Sequence, residues 1–251
     1  MDNIARGLLH SLQGKREVRK DEKQGRATTY FHRPIVFIGH SMGGIVIAKA
    51  VTLMDSLRTT FPKMLEATAG CVFFGSPFRG AQAASVAALF AQVGEKFGVA
   101  TTSKLLDLMK PEDTGMMELR SDFLRFVNDL SPKIGLFCFW EEQTVDVAKM
   151  GADFIKKTMP GFISGIASGG FYSLFKKASG PIKVVERDSA TFGDVGVPNL
   201  GLSCNHQDLV KFESFRDSRY ELMRDPLRKI IHDAPLNAKV GTVAPVKRFL
   251  P

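Results

Sequence analysis

Ile35-Val36-Phe37-Ile38-Gly39-His40-Ser41-Met42-Gly43-Gly44 is the stretch that decides the fold. Four apolar, mostly β-branched residues run into Gly-x-Ser-x-Gly. An apolar pattern of helical spacing follows, through Ile45, Val46, Ala48, Val51, Leu53 and Met54. Strand, glycine-flanked serine and helix in that order form the context of a nucleophile elbow. The turn predicts a positive φ at Ser41, a strained conformation for a residue with a side chain. Gly39 and Gly43, lacking Cβ atoms, are expected to let strand and helix approach closely. The Met42 N–H, at the positive end of the helix dipole, is placed to donate to a developing oxyanion.

Further apolar runs extend the pattern on both sides. An amphipathic helix is predicted over 3–13, a polar connection over 14–33, a strand over 34–38 and a helix over 43–58. Strands follow at Gly70–Phe74, Ile134–Trp140 and Ile182–Val185, with helical segments from Ala81 to about Leu130 and from Gln207 to His232. Continuous apolar strands alternating with helices predict a mostly parallel sheet covered on both faces, a three-layer α/β sandwich. Sites in such sheets form at the carboxyl ends of the strands. Ser41, Ser76, Glu141 and Asp188 all fall just after predicted strands.

A serine nucleophile needs a base, and the base an orienting acid. With this elbow the chain order is serine, acid, histidine. Of the five histidines, His10 and His32 precede the serine, and His40 lies inside the elbow with its ring directed away from the base position. His232 reads as a helix-end residue, which leaves His206, in Asn205-His206-Gln207-Asp208, as the base. The acid is Glu141, after the third strand, with Asp188 and Glu142 as alternatives.

The 251 residues fit one domain over 1–233 with a linker-like tail over 234–251, which holds Pro235, Gly241 and Pro245. The net charge of +8 comes from 34 basic and 26 acidic residues. The basic residues are scattered, with few aromatics among them, which argues against nucleic acid as a partner. Cys71, Cys138 and Cys204 have no metal-ligand spacing and do not pair evenly, so neither a metal site nor a disulfide framework is expected, and a cytoplasmic location follows. No cofactor is implied. Met159–Phe175 carries no charge and lies between Lys156-Lys157 and Lys176-Lys177. It reads as a glycine-rich excursion over the site, and its lysine flanks also suit a peripheral membrane contact through 156–177.

Arg33–Gly44 resembles the α/β-hydrolase domain of the serine-active-site-containing (SERAC-type) lipase-like family, also found at the N-terminus of fungal NACHT and repeat proteins. Val72–Gly80, Phe139-Trp140-Glu141, Asp188-Ser189-Ala190 and Asn205–Phe212 are similar to further segments of that family. The resemblance implies a serine esterase acting on ester or lipid-like acyl substrates, with Ser41 as nucleophile, Glu141 as acid and His206 as base. Phe78 stands where the family commonly has histidine. The resemblance also implies early strands, and a loop with the second oxyanion donor, ahead of Ile4. The reading is therefore of an N-terminally incomplete domain with the Ile35 strand on an open sheet edge, available to a partner chain or a missing segment. Loss of one oxyanion donor typically costs about 2.7–4 kcal/mol in the barrier. The alternative is a non-catalytic signalling or interaction module that keeps the elbow for architecture.

Overall fold

The strand signals at Ile35, Gly70 and Ile134 correspond to three adjacent strands of one parallel sheet. The computed structural model describes residues 1–16, 33–61, 63–80, 114–130, 132–146, 181–193 and 196–234, and the backbone of 19–20 and 27–28. The strands are β1 (Arg19–Lys20), β2 (Ala27–Thr28), β3 (Ile35–His40), β4 (Thr68–Phe74), β5 (Gly135–Glu141), β6 (Val145–Asp146), β7 (Pro181–Ile182) and β8 (Asn199–Leu202). The helices are α1 (Asp2–Arg16), α2 (Met42–Ser56), α3 (Met64–Ala67), α4 (Thr114–Asp129), α5 (Arg187–Ala190) and α6 (Ser218–His232), with a 3-10 turn at His206–Asp208. The remainder of the predicted helical region from Ala81, the 156–177 segment and the tail from Pro235 lie outside the described residues.

The main sheet has the order β3-β4-β5-β8, and every pair in it is parallel. All seven residues of β4 are buried, as a central parallel strand with both faces covered requires. Cys71 and Phe73 join the core beneath α1, α2 and α4. Val72 and Phe74, on the opposite side of the pleat, join Phe139, Leu209 and Ile230 beneath α6. This is the three-layer α/β architecture expected from the alternation of elements. Among the described residues β3 pairs only with β4 and forms one edge, with Ile38 54% exposed.

The fourth strand is not where the β-branched run predicted it. Only Pro181–Ile182 of that segment is strand, in a two-residue antiparallel ladder with β6, while Val184 and Val185 are buried outside the sheet. The fourth position belongs to Asn199-Leu200-Gly201-Leu202. Its asparagine and glycine, just after Pro198, give little strand signal, and as an edge strand it needs neither face fully apolar.

The close contact behind the elbow also differs from expectation. A Cβ on Gly39 would stand 2.7 Å from the Gly44 Cα and 2.8 Å from the Ile47 Cδ1. A Cβ on Gly44 would overlap the Ser76 hydroxyl and lie 2.6 Å from the Ser76 Cβ. At Gly43 a Cβ would meet nothing within 4 Å. Gly39 and Gly44, not Gly43, are therefore the pair that seats α2 on the sheet. Gly44→Ala is expected to destabilise the protein by about 2 kcal/mol or more through overpacking. Gly43→Ala is expected to be neutral or stabilising by up to about 1 kcal/mol, from helix propensity. Urea denaturation of the two variants measures this difference.

Candidate active site

Ser41 caps the N-terminus of α2 with φ 53° and ψ −129°, and is the only non-glycine residue with positive φ among the described residues. Such a conformation costs on the order of 1–3 kcal/mol. The surroundings hold it in place. The Ser41 N–H donates to the Phe74 carbonyl at 2.8 Å, and the Ser41 carbonyl accepts from Gly44 N–H at 3.1 Å. Ser41 follows the carboxyl end of β3 and is 5% exposed. Met42 is the first residue of α2, so its N–H has no partner within the helix.

Glu141 closes β5, and His206 opens the 3-10 turn. The Asn205 side chain shapes that turn by accepting from the N–H groups of Gln207 at 3.0 Å and Asp208 at 3.2 Å. Glu141 and His206 are both fully buried and lie 3.1 Å apart, from Oε2 to Nδ1. A carboxylate accepts, so Nδ1 carries the proton and Nε2 presents its lone pair. The other carboxylate oxygen accepts from the Val185 N–H at 2.7 Å. The segment expected as a sheet strand thus serves to hold the acid. A buried charge without such partners would be costly.

The remaining candidates are placed elsewhere. Glu142 is exposed on the opposite side of the pleat, and its carboxylate accepts from the Ser203 hydroxyl at 2.9 Å. Asp188 is exposed on α5. Neither is hydrogen-bonded to His206. His10 packs edge-on against Phe61, and His232 is exposed at the end of α6. His32 lies outside the described residues. Phe78 is buried against Phe73 and Phe192.

Two supporting residues were not legible beforehand. His40 was expected to point away from the base position. Its Nε2–H nevertheless donates to the His206 carbonyl at 2.9 Å, and the two rings lie 4.8 Å apart. Gly75 has φ 52°, and a Cβ there would stand 2.9 Å from the His206 Cε1. The base is thus fixed to the elbow through its backbone and packed against the turn after β4 through its ring. Only the glycine in Gly75-Ser76-Pro77 offered a signal in the sequence.

Ser41 Oγ and His206 Nε2 are both buried, and neither has a hydrogen-bond partner among the described residues. Buried polar atoms are rarely left unsatisfied. Here one is a hydroxyl and the other the free lone pair of an imidazole oriented by a carboxylate. A hydroxyl and an oriented imidazole lone pair are the groups that acyl transfer requires of a nucleophile and a base. The buried thiols are poor nucleophiles by comparison, since burial pushes Cys138 up to about 12 and Cys71 higher still.

No family model matches the chain, and no curated protein matches it. The SERAC-type resemblance rests on the quoted motifs alone.

Burial, and then the neighbouring His206, hold the His40 imidazole down at about 4. An unfolded histidine titrates near 6.5. The unfolded chain therefore takes up a proton at His40 between pH 6.5 and 4 that the folded chain refuses. This contribution to stability is complete above pH 6.5 and is lost as pH falls toward 4. The predicted loss is about 3 kcal/mol from this residue. Urea midpoints at pH 7.5 and 4.5 should differ more in the native protein than in His40→Gln.

Proposed function

We propose that the chain is a serine hydrolase of the α/β-hydrolase type, related to the SERAC-type lipase-like family, that cleaves carboxylic esters. The observation that carries this reading is the fully buried Glu141–His206 pair, tied to the elbow by the His40–His206 hydrogen bond, together with a strained Ser41 whose buried hydroxyl has no hydrogen-bond partner among the described residues. Ser41 Oγ attacks the ester carbonyl carbon while its proton passes to His206 Nε2. Glu141 stabilises the imidazolium that forms. The Met42 N–H, at the start of α2, donates to the tetrahedral oxyanion. Collapse expels the alcohol, which takes the proton from His206. Water then attacks the acyl-serine, gives its proton to His206 and releases the acid as Ser41 is restored. The substrates are ester or lipid-like acyl compounds.

A fluorophosphonate probe is expected to label the folded protein at Ser41. Labelling should vanish in Ser41→Ala. In Glu141→Gln the rate of p-nitrophenyl ester hydrolysis should fall at least about 100-fold, because the neutral amide no longer stabilises the imidazolium or fixes its tautomer. Folded protein that takes no label would count against hydrolysis. The non-catalytic module then becomes the better reading, with the edge of β3, unpaired among the described residues, as the surface for a partner.

A further inference from the structure

Two guanidinium groups converge near Gly193, apart from the Ser41 cluster. Arg79 lies in the turn after β4, and its side chain is exposed. The turn is locked to α5. Phe78 N–H donates to the Ser189 carbonyl at 2.9 Å, Arg79 N–H to the Ser189 hydroxyl at 3.2 Å, and that hydroxyl to the Gly80 carbonyl at 2.6 Å. Arg120 comes from α4 and is half-buried. Its Nη2 donates to the Phe192 carbonyl at 2.6 Å, while its buried Nε has no partner among the described residues.

Gly193 lies between them with φ 67°. The point its missing Cβ would occupy is 2.9 Å from Arg79 Nη2 and 4.0 Å from Arg120 Nη2. Among the described residues no carboxylate pairs with either arginine. Two positive groups are thus held together by a rigid turn and a helix with nothing described to neutralise them. Burial, followed by the charge of Arg79, makes Arg120 harder to keep protonated. A bound anion relieves both arginines.

We propose that Arg79 and Arg120 form a binding site for a phosphate group. Charge and shape favour phosphate over carboxylate. A phosphate monoester carries about −1.5 to −2 at pH 7 and has three acceptor oxygens, which match two guanidinium forks. A single carboxylate leaves one positive charge uncompensated. Arg79 lies three positions after Ser76, whose side chain lies against Gly44 in the first turn of α2. The Arg79 backbone is therefore within roughly 11 Å of the elbow's support. The ligand is either free phosphate or the phosphoryl group of a larger soluble molecule. The site rests on the arginine geometry and does not depend on the hydrolase reading.

The test is calorimetric titration of the full chain at pH 7.5 and low ionic strength. Inorganic phosphate, glycerol 1-phosphate and acetate are the ligands, with sodium chloride matching the ionic strength. Saturable 1:1 phosphate binding is expected, at least tenfold weaker in Arg79→Gln, with no saturable acetate binding. Arg79 is exposed, so this variant keeps its fold even where Arg120→Gln disturbs the Phe192 contact. Tighter binding of glycerol 1-phosphate than of phosphate identifies the phosphoryl group of a larger molecule, and equal affinity identifies the free anion. Absence of saturable phosphate binding, equal binding in Arg79→Gln, or acetate binding as tight as phosphate overturns the proposal. Ester hydrolysis is not read in any arm, so failure here leaves the hydrolase proposal to its own test.

Discussion

The hydrogen bond from the Ser41 N–H to the Phe74 carbonyl is the contact on which the rest of the site depends. It ties the end of β3 to the end of β4 at the one non-glycine residue with positive φ among the described residues. The strain persists because the alternatives are blocked. Gly39, Gly44 and Ser76 are packed without room for a methyl group, so α2 cannot shift to relax the turn. Gly75 N–H in turn donates to the Phe139 carbonyl of β5. The carboxyl ends of three adjacent strands are thereby laced together, and each contributes to the site. β3 leads to Ser41, the turn after β4 supplies the cradle for the His206 ring, and β5 ends in Glu141.

The electrostatics follow from this packing. Glu141 is a carboxylate with no exposure to water, held by the His206 Nδ1–H and the Val185 N–H. His40, next to His206, is kept neutral by burial and by its neighbour. A charged His40 would add a second cation beside an imidazole that, in the proposed acyl transfer, itself becomes cationic. Its neutral Nε2–H serves the site by holding the His206 backbone instead. The second residue of the elbow thus reaches across the sheet edge to the loop that carries the base.

The parts legible in the sequence were those governed by local rules. The turn between Ile38 and Gly44 announces itself because a strained serine needs glycines and a strand–helix junction, all within ten residues. The pairing of Glu141 with His206 was likewise anticipated from chain order and position after strands. Long-range contacts left weaker marks. Asn199–Leu202 has little strand propensity and owes its place to pairing with β5. Ile182–Val185 has strong propensity, yet only Pro181–Ile182 enters a ladder and the Val185 N–H donates to Glu141 instead. Gly43 and Gly44 cannot be told apart by the motif, and only the position of Ser76 shows which one is tightly packed. The hydrogen bond from His40 to a carbonyl 166 residues away has no signature in sequence at all.

The choice between an enzyme and an architectural module turns on what the buried polar groups cost. An elbow kept only to join β3 to α2 needs its glycines and its turn. It does not need a carboxylate and an imidazole buried together at the ends of other segments. Replacing a buried ionic pair by apolar groups of similar volume is often neutral or stabilising by 1–4 kcal/mol. A purely structural site therefore has no evident use for Glu141 and His206 in this arrangement. A serine hydroxyl and an imidazole nitrogen without hydrogen-bond partners among the described residues add to the same burden. The burden makes physical sense where a substrate oxygen and a transferring proton complete these bonds in the transition state, and this asymmetry favours chemistry over architecture.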